Sequence, residues 1–400
     1  MEWIELPIKK TGDIVTGNTP SRSEEKYYGG NIPWIKPEDL DTDFYIKTSS
    51  EYLTEDGAKK ARLLPENSIL VSCIGNIGKM AIAGCQLATN QQINSVVPKE
   101  EYDPVFLAHS IKYSLSNEKN INIALVSILN GGAFGKVKVR LPKTKNEQKR
   151  LGILIQNKLV KIEQMRQAAL KQKEAVEALQ GALLREVFPY KEGDELPKGW
   201  KWEKLDNIAK VGKSRKKKTA ANPKEPTSFV PMDSVDDVTG KITKTLFRPF
   251  DELGQSYTYF ENGDIIFAKI TPCMQNGKCA IVSEMKDGFG YGSSEYIVLT
   301  PVMPIYTKWV HYFMRTVEFR KNCEDHFTGS AGQQRVPNDY IQKYLIPVPN
   351  DETLIENFTN QLDKKHQDYF KLLQHTETQL EAIEAMPAAI LREVFEFNKN

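Results

Sequence analysis

Residues 177–188 read EALQGALLREVF and residues 384–395 read EAMPAAILREVF, and eight of the twelve positions are identical at an offset of 207 residues. Working outward, residues 146–187 contain no proline, only two glycines (Gly152 and Gly181) and mostly good helix formers, so the first copy ends a long helix. Ile162, Met165, Ala169, Gln172, Val176, Leu179 and Leu183 recur at alternating spacings of three and four, the pattern of a coiled-coil seam. Adding 207 gives Tyr369, Leu372, Thr376, Gln379, Ile383, Met386 and Ile390, so a second long helix keeps the register. Gln172 and Gln379 sit at one step of both seams, where a polar residue either fixes register or is tolerated half-exposed. Pro387 replaces Gln180 of the first copy and predicts a bend or break near Met386. Spacing alone leaves parallel and antiparallel pairing open.

The duplication extends beyond the helices. Gly78-Lys79-Met80-Ala81-Ile82 matches Gly277-Lys278-Cys279-Ala280-Ile281, and Leu141-Pro142 matches Val348-Pro349. A period near 200 residues is a repeated domain and not a solenoid. The order is block, helix, block, helix, with boundaries at 1–145, 146–190, 191–350 and 351–400. Each block mixes short β-branched runs (68–72, 94–97, 264–268, 279–282, 296–299) with Gly, Pro and Asn turns. Helices are expected at 104–115 and 308–320, which gives an α+β class, a twisted sheet with one or two helices per block. The glycine-rich run 288–292 reads as a loop at a sheet edge.

The chain of 400 residues carries a net charge of only +2, but the charge is uneven. Residues 1–145 balance at +1, residues 196–350 at +5, and the two helical stretches together at −4. An even total thus hides a basic block. Acids at the N-terminus and the absence of a 20-residue apolar run argue against a signal peptide or membrane span and for a cytoplasmic protein. Five cysteines without C-x-x-C spacing suit reduced thiols, and five scattered histidines suggest no metal site. No P-loop, no glycine-rich cofactor turn and no defensible acid cluster of a nuclease is present. Asn31-Ile32-Pro33-Trp34 only faintly resembles the loop of DNA amino-methyltransferases. The balance favours a non-catalytic protein.

The residues that do cluster suit nucleic acid. Lys213, Arg215, Lys216, Lys217 and Lys218 place five cations in six positions, a candidate phosphate-contacting arm or a solvated loop. Ser72, Asn76 and Lys79, followed by Asn90, Gln91 and Gln92, gather amides and a cation beside glycine turns. Their counterparts are Lys269, Thr271, Gln275, Asn276 and Lys278, followed by Ser293 and Ser294. Such side chains can read base edges, and they are also ordinary loop residues.

The arrangement resembles the specificity subunit of type I restriction–modification enzymes over nearly the whole chain. The most specific pieces are Trp34-Ile35-Lys36-Pro37-Glu38-Asp39-Leu40, Asn90-Gln91-Gln92-Ile93-Asn94, the run 267–278 (FAKITPCMQNGK), and the two Leu-Arg-Glu-Val-Phe helix ends. The resemblance implies two target recognition domains, each reading one half of a split double-stranded DNA site, with Lys36 and Arg335 added to the candidate contacts. It also implies an antiparallel coiled coil that spaces the domains and docks two modification (methyltransferase) subunits, with restriction subunits joining through the complex. S-adenosylmethionine, ATP and magnesium are then expected on those partners only. The alternatives are a methyltransferase or nuclease with a degenerate site, and a stand-alone DNA-binding regulator.

Overall fold

The computed structural model describes residues 1–40, 44–116, 128–212, 216–254, 256–330 and 333–396. The chain divides into two compact units, the first comprising Met1–Ala169 and Gln379–Asn400, the second Leu170–Thr378. Each unit therefore takes one globular block together with part of both long helices, and the packing divides the chain inside the helices, not at the boundaries 145, 190 and 350.

Unit 1 contains strands β1 (Trp3–Pro7), β2 (Gly12–Thr16), β3 (Tyr28–Ile35), β4 (Tyr45–Ile46), β5 (Tyr52–Leu53), β6 (Leu63–Leu64), β7 (Ile69–Ser72), β8 (Met80–Ala83), β9 (Leu87–Thr89), β10 (Ile93–Pro98) and β11 (Lys138–Pro142). Its helices are α1 (Ile8–Thr11), α2 (Glu55–Ala58), α3 (Pro104–Ser116), α4 (Gly131–Lys136) and the start of α5 (Lys145–Val187). Unit 2 continues with β12 (Trp200–Lys204), β13 (Ala209–Val211), β14 (Pro226–Val230), β15 (Leu246–Pro249), β16 (Thr258–Glu261), β17 (Ile265–Ala268), β18 (Cys279–Ile281), β19 (Phe289–Gly292), β20 (Tyr296–Pro301) and β21 (Leu345–Pro349). Its helices are α6 (Leu205–Ile208), α7 (Cys273–Asn276), α8 (Tyr306–Met314), α9 (Val317–Glu324), α10 (Asn338–Lys343) and the start of α11 (Glu352–Glu396).

The sheet orders expose the duplication that the sequence only hinted at. Unit 1 has β1-β11, β2-β10-β7-β8-β4 and β5-β3-β9-β6; unit 2 has β12-β21, β13-β20-β17-β18 and β15-β14-β19-β16. In the small sheet β5-β3-β9-β6 of unit 1 and its counterpart β15-β14-β19-β16 in unit 2, the two central strands run parallel, β3 with β9 and β14 with β19, among otherwise antiparallel neighbours. The runs β7, β8 and β17 are wholly buried, which is why they read as short continuous apolar segments without alternation.

The repeated helix ends are explained by where they pack. Leu184, Val187 and Phe188 belong to the core of unit 2, with Phe188 against Trp309 at 4.7 Å between ring centroids. Leu391, Val394 and Phe395 belong to the core of unit 1, with Phe395 against Tyr113 at 4.9 Å. Each long helix thus plants the same Leu-x-x-Val-Phe in the equivalent place of a block.

Inside each unit the long-helix segments run antiparallel. In unit 1 Lys158 pairs with Glu393 at 3.3 Å, and Ile162 and Ala169 pack with Ile383. In unit 2 Lys173 pairs with Glu377 at 3.2 Å, and Glu186 with Lys365 at 2.6 Å. Six of the fourteen expected seam positions are misplaced. Ile162, Ala169 and Val176 are buried, as are Tyr369, Thr376 and Ile383, with Leu183 and Ile390 half-buried. Met165, Gln172, Leu179, Leu372, Gln379 and Met386 are exposed. The second column lies four residues on and not three: Arg166, Lys173 and Gln180 in α5, and Leu373, Leu380 and Pro387 in α11, all half-buried. Columns at +3 and +4 flank the same apolar line on opposite sides. The +3 column looked better because Met165 and Leu179 are apolar, yet the alkyl stems of Arg166 and Lys173 can cover the other side. Gln172 and Gln379 therefore do not sit in the seam.

Three further expectations change. α11 runs through Pro387 without a break. Pro387 lines a small apolar cavity with Phe44, Leu159 and Leu391, and tertiary packing of this kind offsets the one lost backbone hydrogen bond. The helix expected at 308–320 is two helices, because the Thr316 hydroxyl accepts from the Phe319 N–H and caps α9. The run 288–292 is mostly the interior strand β19 and not an edge loop. A Cβ at Gly292 would meet the Val230 carbonyl oxygen at 2.6 Å and the Phe260 ring at 3.0 Å, so close packing explains the glycine.

Candidate nucleic-acid interface

In each unit the chain reversals after β7 and β17 are tied to those after β9 and β19. The Cys73 N–H donates to the Gln92 carbonyl at 2.8 Å, and the Leu129 N–H to the Cys73 carbonyl at 2.8 Å. In unit 2 the Lys269 N–H donates to the Glu295 carbonyl at 2.9 Å, and the Val336 N–H to the Lys269 carbonyl at 3.0 Å. One backbone frame therefore carries two different sets of side chains. Gly75 and Gly78 of the first loop have φ of 71° and 95°, and Gly277 closing α7 has 88°, conformations that favour glycine.

On the unit 1 frame, Asn76 and Gln91 are exposed and Lys79 is half-buried. The Ser72 hydroxyl is turned inward, accepting from the Lys79 N–H at 3.0 Å. Asn90 is buried, its amide donating to Gln92 Oε1 at 3.0 Å and its Oδ1 accepting the Gln92 N–H at 3.0 Å. Gln91 Oε1 accepts from the Thr19 hydroxyl at 2.5 Å. Ser72 and Asn90 thus hold the loops, leaving Asn76, Lys79 and Gln91 facing outward. Lys36 sits between Glu38 at 3.0 Å and Glu51 at 3.3 Å. The hydrogen bond it donates to Glu38, aided by the one to Glu51, raises its pKa against the opposing effect of burial. Its charge is neutralised, contrary to its expected role as a free contact. Asn31-Ile32-Pro33-Trp34 lies in β3 with Trp34 in the core, a packing residue.

On the unit 2 frame, Gln275, Asn276 and Ser294 are exposed. Lys278 does not point outward as expected: its ammonium donates to the Met232 carbonyl at 2.9 Å and the Val235 carbonyl at 2.8 Å. Arg335 forms a bidentate pair with Glu295, both bonds 2.8 Å, and holds the Glu295 carboxyl below its usual pKa. The Ser293 hydroxyl accepts from the Glu295 N–H at 3.2 Å, and the Thr271 N–H donates to the Gln334 carbonyl at 3.0 Å. Lys269, half-buried, and Lys216, exposed, have no carboxylate within salt-bridge distance among the described residues. In the basic arm, Lys213 and Arg215 lie outside the described residues. Lys218 pairs with Glu261 at 3.1 Å, and the Lys217 ammonium lies 5.7 Å from the Tyr291 ring centre and 5.9 Å from that of Tyr259. Two of the described cations are therefore held against the small sheet, and Lys216 is left in solvent.

Sequence reading missed a matching cation in unit 1. Arg22 stacks over Tyr28 at 4.6 Å and Trp34 at 4.9 Å, and pairs with Glu51 at 2.8 Å. Arg22 follows the end of β2 by six residues, and Lys217 follows the end of β13 by six. That shared spacing, a cation six residues beyond the same strand, was the available signal. In unit 2 Arg248 also stacks, over Phe229 at 4.2 Å.

Among the described residues no group of three or more His, Cys, Asp and Glu could hold a metal, and no helix is long and apolar enough to cross a membrane.

Comparison with known proteins agrees with this geometry. Residues 2–172 match the family model of the type I restriction modification DNA specificity domain. The chain is 34% identical over 180 residues to the EcoAI specificity subunit of Escherichia coli, covering 44% of this chain and 30% of that protein. It is 30% identical over 230 residues to the MjaIX specificity subunit of Methanocaldococcus jannaschii, covering 52% of each. The chain thus spans between about a third and a half of these relatives' length. Among solved structures, a chain of a type I R-M system studied for complex assembly and conformational transition aligns with TM-score 0.77, 15% identity and coverage of 98% of this chain and 97% of that one. The HsdS subunit from Thermoanaerobacter tengcongensis aligns with TM-score 0.61 and 14% identity over 98% and 96%. Residues 2–172 are thus similar in sequence to the type I restriction modification DNA specificity domain, and the fold of nearly the whole chain is similar to that of these two solved structures.

Proposed function

We propose that this chain is the DNA sequence-recognition subunit of a type I restriction–modification complex, with each globular block reading one half of a bipartite site. One observation carries the reading: the two blocks share a sheet frame in every strand but β4, yet differ in the side chains on the loops that the frame holds. Asn76, Lys79 and Gln91 serve the first half-site, and Gln275, Asn276 and Ser294 the second, with base edges read by amides and cations. Lys216, with the neighbouring cations of its arm, serves the phosphates. The long helices act as an antiparallel coiled coil that sets the spacing and docks two methyltransferase subunits, with restriction subunits joining the assembly in the cytoplasm. The chain itself performs no catalysis, and S-adenosylmethionine, ATP and magnesium belong to the partners.

The test supplies the chain with its methyltransferase partner and sequences the methylated sites of the host. A single bipartite motif should be present only when the chain is present. Exchanging residues 196–350 for those of a relative should change one half of the motif and leave the other intact. Methylation that persists without the chain, or a hybrid that alters both halves, would overturn the reading.

A further inference from the structure

Unit 2 contains a cavity of about 640 Å³ at the junction of β18, α8 and α11. Two helical faces line it: Lys308, His311 and Tyr312 from α8 with Arg315 as its C-cap, and Asp363, His366, Gln367 and Phe370 from α11. Both sets follow the i, i+3, i+4, i+7 spacing of one helix stripe. The rim is the loop 239–245. Arg315 fixes it by donating to the carbonyls of Asp237 at 3.0 Å, Val238, and Thr239 at 3.1 Å. Gly240 is required there, because its φ is +65° and a Cβ would fall 2.3 Å from the guanidinium. The rim is thus held in place by the fold itself.

Unit 1 supplies an internal control. Phe106 of α3 and Trp309 of α8 occupy the same core place, each against the tryptophan that opens its block, Trp3 at 6.0 Å and Trp200 at 5.7 Å. The residues that follow are therefore equivalent: Ala108 to His311, His109 to Tyr312, and Lys112 to Arg315. The 207-residue offset pairs Leu159 with His366 and Gln156 with Asp363. The unit 1 junction holds only about 90 Å³, lined by Phe44, Ile82, Ala108, Leu159, Pro387 and Leu391 among others, with His109 and Lys112 its polar members. The same scaffold therefore closes with mainly apolar side chains. In unit 2, Ala108 and Leu159 are replaced by two imidazoles, and an ammonium–carboxylate pair, Lys308 with Asp363 at 2.5 Å, lines the wall. Burying two imidazoles here, where the unit 1 junction buries only His109, costs free energy. His366 is 5% exposed and its Nε2 has no hydrogen-bond partner, a state it shares with His109 Nε2 of unit 1.

We propose that this junction of unit 2 is a binding site for a nucleotide-class ligand, a flat ring carrying a phosphate. The volume falls in the range of small-molecule sites. Tyr312, His366 and Phe370 form a run of nearly parallel rings, at 24° and 5.0 Å, then 22° and 6.1 Å, onto which a planar base extends the stack. Lys241, exposed at the rim, supplies the charge for a phosphate. Nothing in this assignment depends on DNA recognition.

The test uses the full chain and the four ribonucleoside monophosphates, tried singly by calorimetry and thermal shift, with the matching nucleosides and inorganic phosphate as controls. At least one monophosphate should bind below about 1 mM, and about tenfold more tightly than its nucleoside or phosphate alone. The double variant H311A/H366L copies unit 1 and should abolish this binding. Because that variant could misfold, Lys241→Ala at the solvent-facing rim is the second arm, and it should weaken binding about tenfold with unchanged melting. Absence of binding by all four monophosphates, equal binding of phosphate alone, or unchanged affinity in K241A overturns the proposal.

Discussion

Lys278 and Lys79 occupy matching places in the duplicated sequence, each after a glycine and before a buried strand, yet their ammonium groups do different things. Lys278 bridges the carbonyls of Met232 and Val235, closing the turn after β14. No such anchor holds Lys79 among the described residues, and its side chain is left at the surface of the loop frame. A half-buried charge donating to two carbonyls is worth more than one in water, because each carbonyl would otherwise lose its partner. Replacing Lys278 with Met keeps the length of the side chain and removes both bonds, at a cost on the order of 2–3 kcal/mol. Chemical denaturation should show this loss, while the methylated motif at permissive temperature should stay the same. A changed base preference at the second half-site with unaltered stability would return Lys278 to the DNA surface.

At the scale of elements, the long helices show what periodicity can and cannot decide. The residues 162, 169 and 176 and their partners at +207 are apolar or small every seventh position, and the structure buries them. The second column was ambiguous because a helix surface places +3 and +4 neighbours symmetrically about that line. Only the partner helix chooses between them, and the partner is distant in sequence. The same limit hid Arg22: stacking on Tyr28 and Trp34 depends on how the segment after β2 crosses the small sheet. By contrast, the fold class, the duplication and the exposed amides Asn76, Gln91, Gln275 and Asn276 were legible, since glycine turns beside buried strands are local signals. The corrected seam makes a sharp contrast. Ile383, 3% exposed and packed with Ile162 and Ala169, should cost about 2–5 kcal/mol when truncated to Ala. Gln379, exposed four residues earlier, should change stability by no more than about 0.5 kcal/mol under the same substitution. Equal losses in urea denaturation would restore Gln379 to the seam.

Across the whole molecule, acid should act through three histidines buried without charge. Desolvation, helped by Lys112, lowers the His109 pKa to about 4 in unit 1. In unit 2 desolvation, helped by Arg315, lowers His311 to about 3 and His366 to about 4. The sign follows from linkage. In the unfolded chain these groups titrate near about 6.5 and bind a proton that the folded chain refuses, so folding stability falls as pH falls below that value. Between pH 7.5 and pH 5 each such group removes roughly 2 kcal/mol. The carboxylates cannot mask this. Those held in ion pairs, such as Glu163, with its pKa lowered to about 2 chiefly by Arg166, stay ionised in both states until the pH drops well under about 5. Unit 2, with two of the three histidines, should lose more than unit 1, which hydrogen exchange at the two pH values resolves by segment. Replacing His109 with Phe keeps a ring against Phe44, which now stacks on the imidazole at 5.2 Å. That variant should lose the acid sensitivity of unit 1 and leave that of unit 2 unchanged. If the protection of both units were the same at pH 7.5 and pH 5, the imidazoles would have to be accepting protons in the folded chain, and the burial that defines these junctions would be wrong.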